Sequence, residues 1–311
     1  MGPIIQSICA IAVVIAVGWI VRRTGALPDG TERVLTAFVY WLAGPALLFS
    51  VISTSPIHDV LGLPLVVAAV SGLGTALAFA LIARPILKAN LGETVLGAMS
   101  SALNNAAYIG IPISIYVLGD ATHSIPVVVF QLGFFTPMFF VLADLAGSRQ
   151  RPTPWRVLRM VVTNPMVIAA AIGFVCSWFA VPMPDLVTVA TKMVGDSAPP
   201  VVLIAFGASL VGVPIRMKSR TGALVALSSV GKLVVQPAIA FGMAMALKMP
   251  MEAVMSATIM GGLPTAQNAF IAASRAGAGE DVAQGAILVT TFGCLPLTLL
   301  VAWAFHAFAG V

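Results

Sequence analysis

Ser100-Ser101-Ala102-Leu103-Asn104-Asn105-Ala106-Ala107-Tyr108-Ile109-Gly110-Ile111-Pro112 is the stretch on which the reading of this chain turns. It lies inside an apolar run, 94–117, long enough to cross a bilayer, since the ~30 Å hydrocarbon core takes about 20 mostly apolar residues. Yet its middle carries two serines, two asparagines and a tyrosine, and it ends on Gly-Ile-Pro. Proline removes a backbone donor and clashes with the turn before it, so a helix opens there. The freed backbone groups cannot stay unpaired against lipid, so such a break must line protein or a wet cavity. The pattern returns far downstream as Gly261-Gly262-Leu263-Pro264-Thr265-Ala266-Gln267-Asn268, again inside an apolar run.

The rest of the chain is of the same kind. Of 311 residues 59% are apolar and only 9% charged, against about 25% charged in soluble domains, and the mean hydropathy is +1.04. Ten runs are long and apolar enough to span: 4–21, 34–54, 60–83, 94–117, 121–143, 157–180, 187–212, 221–247, 252–273 and 282–308. The first has no basic leader and no small-residue cleavage site, so it is read as a retained helix. Cys9, Cys176 and Cys294 all fall in apolar runs without paired spacing, so neither a disulfide framework nor a metal site is expected.

The basic residues report topology, not nucleic-acid binding. One set of alternate loops holds thirteen of them: Arg22, Arg23, Arg33, Arg84, Lys88, Arg149, Arg151, Arg156, Arg159, Arg216, Lys218, Arg220 and Arg275. The opposite set holds only Lys248. Positive loops are retained in the cytoplasm. Both termini are therefore expected outside, with the Arg-rich linker inside a cell membrane of inner or plasma type.

The halves share landmarks. Leu27-Pro28-Asp29 before Pro45 matches Met183-Pro184-Asp185 before Pro199-Pro200, and Gly133 before Pro137 matches Gly293 before Pro296. Offsets of 155, 152 and 159 residues separate Pro45 from Pro200, Pro112 from Pro264 and Pro137 from Pro296. Five spans per half reverse the second copy, and inverted repeats with paired broken helices are a common build of secondary carriers. The expected fold is an all-α membrane protein. Ten transmembrane helices form two inverted five-helix repeats, with residues 1–148 and 157–311 the repeats and 149–156 a cytoplasmic linker.

The residues around both breaks, Asn104, Asn105, Tyr108, Pro112, Pro264, Thr265, Gln267 and Asn268, are the candidate substrate site, with Gln131 in span 5 within reach. A half-helix starting after a break turns partial positive charge towards it, which suits a small carboxylate. The other reading is that the amides hold neighbouring helices together. Lys232 lies too deep in span 8 to be a loop residue, and a charge at the bilayer centre costs at least ~2.5–3.5 kcal/mol on insertion scales, so it needs a partner or a cavity. Lys192 and Asp196 are four apart in span 7 and share a helical face. These three are candidate coupling or supporting charges.

Asn104 through Pro112 and Gly262 through Ala272 resemble the crossover motifs of the auxin efflux carrier family, bacterial type, within the wider bile-acid/sodium-symporter-like group. Pro199 through Leu210 and Lys232-Leu233 with Pro237 are similar to that family's seventh and eighth helices. The resemblance runs over the whole chain. It implies crossing fourth and ninth helices, a scaffold of helices 1, 2, 6 and 7, and a moving transport unit of helices 3–5 and 8–10. It also points to the scaffold as the surface for a homodimer. Plant members carry an Asn-Pro-Asn-Thr-Tyr-like motif where Asn104-Asn105 and Tyr108 stand here. That departure points away from auxin towards small carboxylates such as malonate or malate.

Other classes fit less well. No Ser/His pair, paired aspartates or His-Glu-x-x-His helix supports a membrane-embedded enzyme, and Gly231-Lys232 lacks the upstream glycine of a phosphate loop, with Ala226 in its place. A channel needs a continuous polar lining, whereas these polar residues cluster at one depth. A membrane sensor that does not transport is the remaining alternative. The expectation is an elevator-type secondary carrier for a small organic anion, with no cofactor and no nucleic-acid partner. His58, His123 and His306 carry no assigned role.

Overall fold

A computed structural model of the protein describes residues 2–54, 62–147, 155, 158–159, 162–211, 219–266 and 268–309. Among these the backbone is helical, apart from turns, short linkers and one bridged pair of residues. In chain order we label α1 (Gly2–Arg23), α2 (Thr31–Thr54), α3 (Leu63–Ala83), α4 (Leu91–Ala102), α5 (Ala106–Tyr116) and α6 (121–146). Then come α7 (Pro165–Trp178), α8 (Asp185–Gly195), α9 (Ala198–Ser209), α10 (219–246), α11 (Met251–Gly261), α12 (Asn268–Ala276) and α13 (Glu280–Ala309).

Among the described residues, six stretches are long and apolar enough to cross a membrane: Thr31–Thr54, Leu63–Ala83, Ala121–Ala143, Asp185–Ser209, Arg220–Ala246 and Glu280–Phe308. Many of their outward side chains are large and apolar, with Leu81 66%, Leu186 80% and Phe292 65% exposed. Water would penalise that surface and lipid does not. The chain is thus an all-α membrane protein.

The run read in the sequence as span 6 is interrupted at Thr163 and Asn164, between the helical residue Val162 and a helix from Pro165. A helix is capped at Asn164, whose side-chain oxygen accepts from the N–H groups of Met166 at 2.9 Å and Val167 at 3.4 Å. Pro165 follows as first residue, where its missing N–H costs nothing. The run from 157 to 180 looked like one helix because hydropathy does not register a cap.

Four of the described helices widen into a single π-helical turn: Val39–Ala43 in α2, Ala106–Gly110 in α5, Gln131–Phe135 in α6 and Gly231–Val235 in α10. Each turn ends two residues before a proline: Pro45, Pro112, Pro137 and Pro237. The ring would collide with the carbonyl four residues back. The residue before the proline instead bonds five back, from Gly44 to Val39, Thr136 to Gln131 and Gln236 to Gly231. The extra residue opens room for the ring without breaking the helix, a known use of such bulges.

By internal packing the chain divides into two compact units. The first comprises α1, α2, α7, α8, α9 and the segment Ala107–Ile125. Here α1 runs along α9, and α2 packs on α7 and α8. The α1–α9 approach depends on glycine. A Cβ on Gly18 would stand against the carbonyl of Ile204, and one on Gly207 against the carbonyl of Ile15. Small residues that let backbones touch are the main source of helix affinity in lipid, where apolar burial gives no drive.

The second unit comprises α3, α4, α10–α13 and α6 from Pro126 on. Its centre is α10, which touches α3, α4, α11 and α13. Val67, Ala240, Ala244, Val254 and Phe305 form one buried apolar cluster there. The start of α4 is closed by a reciprocal cap between Asn90 and Glu93, each backbone N–H reaching the other's side chain at 2.9 Å. Arg220, opening α10, donates to Glu93 at 2.6 Å and to the Lys88 carbonyl at 2.9 Å, tying the two helix starts together.

Candidate binding site

Within the second unit the two interrupted runs meet. Helix α4 stops at Ala102, with Leu103 after it in extended backbone, and α11 stops at Gly261. Asn104 and Thr265 form an antiparallel bridge. The Asn105 N–H donates to the Pro264 carbonyl at 2.8 Å, and the Ala266 N–H to the Leu103 carbonyl at 3.1 Å. A helix end leaves carbonyls without partners, and burial makes that costly. Here each break supplies partners to the other.

Side chains complete the exchange. Asn104 Nδ2 donates 2.8 Å to the Met260 carbonyl at the end of α11, and Thr265 Oγ1 donates 2.6 Å to the Ser100 carbonyl near the end of α4. The last carbonyl of α4, on Ala102, accepts from both Gln131 Nε2 at 3.3 Å and Gln236 Nε2 at 3.2 Å. The last carbonyl of α11, on Gly261, accepts from Lys232 Nζ at 2.7 Å, and the same ammonium donates 2.5 Å to Gln236 Oε1. Thr265 N–H donates to Thr290 Oγ1 at 2.9 Å, whose own hydroxyl donates to the Ala286 carbonyl at 2.6 Å.

The electrostatics follow. Two helix C-termini, each carrying partial negative charge, converge on the breaks, and the Lys232 ammonium offsets them from complete burial. Gln131 opens the π turn of α6, and Lys232 is second in that of α10. Gly231 makes room, since a Cβ there would come within 2.9 Å of Ser101 Cβ.

Of the residues singled out in the sequence, Asn104, Asn105, Gln131, Pro264, Thr265 and Lys232 come together in this unit, all of them buried. Asn268 is the first residue of α12 and half-buried, and Gln267 lies outside the described residues. Tyr108 and Pro112, both in α5, group with the first unit, as do Lys192 and Asp196. The latter two are paired at 2.9 Å on exposed side chains, 67% and 57% accessible. The sequence reading passed over Gln236 and Thr290. Gln236 stands four residues after Lys232 on one helical face, a signal that was available. Nothing local marks Thr290.

Helices of this length and apolarity, two of them broken where they meet, define a polytopic membrane protein. Residues 3–302 match the family model described as membrane transport protein, and the chain belongs to this family, that of the auxin efflux carriers. A relative from Rhizobium meliloti (strain 1021), named "Putative malonate transporter", is 24% identical over 287 residues, spanning 89% of this chain and 88% of the relative.

Proposed function

We propose that this membrane transporter is an elevator-type secondary carrier for a small carboxylate, built from ten spans as two inverted repeats. The observation that carries the reading is the pair of broken helices joined through Asn104 and Thr265, since paired discontinuous helices are where carriers of this build hold their cargo. The relative's name supports a short dicarboxylate such as malonate. The candidate binding residues are those at the breaks, with Lys232 as supporting charge and Lys192 and Asp196 at the entry to their helix. Division of the chain by packing supports a scaffold of spans 1, 2, 6 and 7 and a mobile unit of spans 3–5 and 8–10, with Ala107–Ile125 grouping on the scaffold side. The scaffold is the proposed homodimer surface, and the termini are proposed to face outside a cell membrane.

The test is counterflow in liposomes. Vesicles preloaded with malonate should accumulate labelled malonate, and the accumulation should saturate. A cross-link from span 4 to span 2 or span 7 should abolish it while leaving single-sided binding measurable, whereas one between spans 4 and 9 should leave turnover nearly intact. Normal cycling with the first cross-link in place refutes the elevator reading.

A further inference from the structure

Lys232 has the one charged side chain among the buried residues described, and its exposure is zero. A buried charge is ordinarily paired with an opposite one. Here no carboxylate pairs with it among the described residues. Its partners are two neutral oxygens, Gln236 Oε1 and the Gly261 carbonyl that ends α11. Gln236 passes the contact on, since its Nε2 donates to the Ala102 carbonyl that ends α4. One positive charge therefore touches the end of one broken helix directly and the end of the other through a single amide.

Hydrogen bonding alone does not call for a charge at this place. The Ala102 carbonyl is served by two neutral amides, Gln131 and Gln236. What an amide cannot supply is the balance of the helix dipoles. Each C-terminus carries roughly half a negative charge, so α4 and α11 together bring about one. One monovalent cation cancels that sum, and a charge left uncancelled away from water is costly. We propose that Lys232 is a tethered cation: its ammonium fills, from α10, the place between the two helix ends that a free monovalent cation would otherwise have to take. The joined breaks are thereby held with no cation drawn from solution. Cut back to Cβ, the side chain would leave a site for a small monovalent cation, with Gln236 Oε1 and the Gly261 carbonyl as its oxygen ligands. The proposal deepens the carrier reading, resting on its paired broken helices but not on its carboxylate.

Lys232→Ala removes Cγ through Nζ, the atoms of propylammonium, which is therefore the probe. Propan-1-ol has the same length without the charge, and tetramethylammonium has the charge without N–H donors. Melting midpoints of detergent-purified, substrate-free protein are read by tryptophan fluorescence at equal ionic strength. The wild type should melt at one midpoint in sodium, potassium and tetramethylammonium chloride. Lys232→Ala should melt lower. Propylammonium should recover at least half of the loss, saturably, while propan-1-ol and tetramethylammonium recover none. The variant is purified in propylammonium and the amine then diluted out, so that a protein unable to stand without it still reports. Lys232→Met keeps the space filled, and it should melt below wild type and respond to no amine. A wild type that loses midpoint when sodium and potassium are withheld overturns the proposal, because it then takes a cation from solution. Lys232→Ala responding to propylammonium no more than to tetramethylammonium overturns it by showing no site. An equal response to propan-1-ol overturns it by showing a need for a donor and not for a charge. If Lys232→Ala never folds, Lys232→Met decides: a midpoint equal to wild type means that the charge is not needed. No substrate enters these melts, so they succeed or fail apart from the carboxylate reading, which counterflow tests.

Discussion

Replacing Lys232 by methionine isolates the work of a single buried ammonium. Methionine has nearly the same length and fills the same space, so the change removes charge and donors but little packing. The lost contacts are those to Gln236 Oε1 and the Gly261 carbonyl. A hydrogen bond to a charged group contributes about 1.5–3 kcal/mol, so the two together contribute about 3–6 kcal/mol. Against this, the variant no longer holds a charge inside the membrane, which relieves about 2.5–3.5 kcal/mol on insertion scales. The midpoints of the two ranges, about 4.5 and about 3 kcal/mol, leave a destabilisation of about 1.5 kcal/mol. With about 2–4 °C per kcal/mol in domains of 150–250 residues, and somewhat less in a longer chain, the melting midpoint should fall by roughly 1–6 °C. Tryptophan fluorescence of detergent-purified protein reads this directly, using the chain's five tryptophans. A double-mutant cycle sharpens it. Gln236→Met should cost less when combined with Lys232→Met than in the wild type, with a coupling of about 0.5–3 kcal/mol. An unchanged or raised midpoint for Lys232→Met would refute the reasoning, because desolvation of the charge would then outweigh its two caps.

Three further outcomes are expected. Gly207→Ala should lower the midpoint by an amount corresponding to about 1–3 kcal/mol, since its Cβ meets the Ile15 carbonyl and the backbone cannot yield cheaply; a neutral result would mean that α1 and α9 part without penalty. Asn164→Ala removes the cap of α7 and should cost about 1 kcal/mol in the same melt, with Asn164→Asp restoring most of it. In a cysteine-free background, cysteines at 121–123 and at 57–58 should react with an impermeant reagent from outside intact cells and those at 149–153 should not, although 57–58 and 149–153 lie outside the described residues. The opposite pattern would reverse the proposed orientation.

The helices were legible because lipid imposes a strict rule: long apolar runs must pair their own backbone. The breaks were legible because Gly110-Ile111-Pro112 and Gly262-Leu263-Pro264 sit among polar residues that lipid would otherwise reject. The use made of those polar residues was not legible. Composition marks Asn104 and Gln131 as amides, but an amide is both donor and acceptor. Only the position of the Met260 and Ala102 carbonyls decides which half is spent. The bridge between Asn104 and Thr265 joins residues 161 apart in sequence, and no local pattern fixes such a register. The π turns escaped for a different reason. A proline in an apolar run signals disturbance, yet it does not say whether the helix will kink, break or take in an extra residue. The interruption before Pro165 rests on a cap that hydropathy averages away.

The widened turns also govern how insertions and deletions act on this chain. An α-helix turns about 100° and rises about 1.5 Å per residue. A π turn holds one residue more than the ladder around it needs, so it can lose one without parting the helix. Deleting a single residue between Gln131 and Phe135 would let α6 close into regular winding. Everything beyond the turn would keep nearly its present facing, because the widened circuit already takes up the additional residue. Phe135 and Phe139, whose rings lie 4.6 Å apart, would stay together. Each turn is in effect a length buffer, letting one helix lose a residue without re-aiming the side-chain rows on either side. Variation among relatives by one residue at 39–43, 106–110, 131–135 or 231–235 would therefore leave packing faces and hydropathy profiles almost untouched.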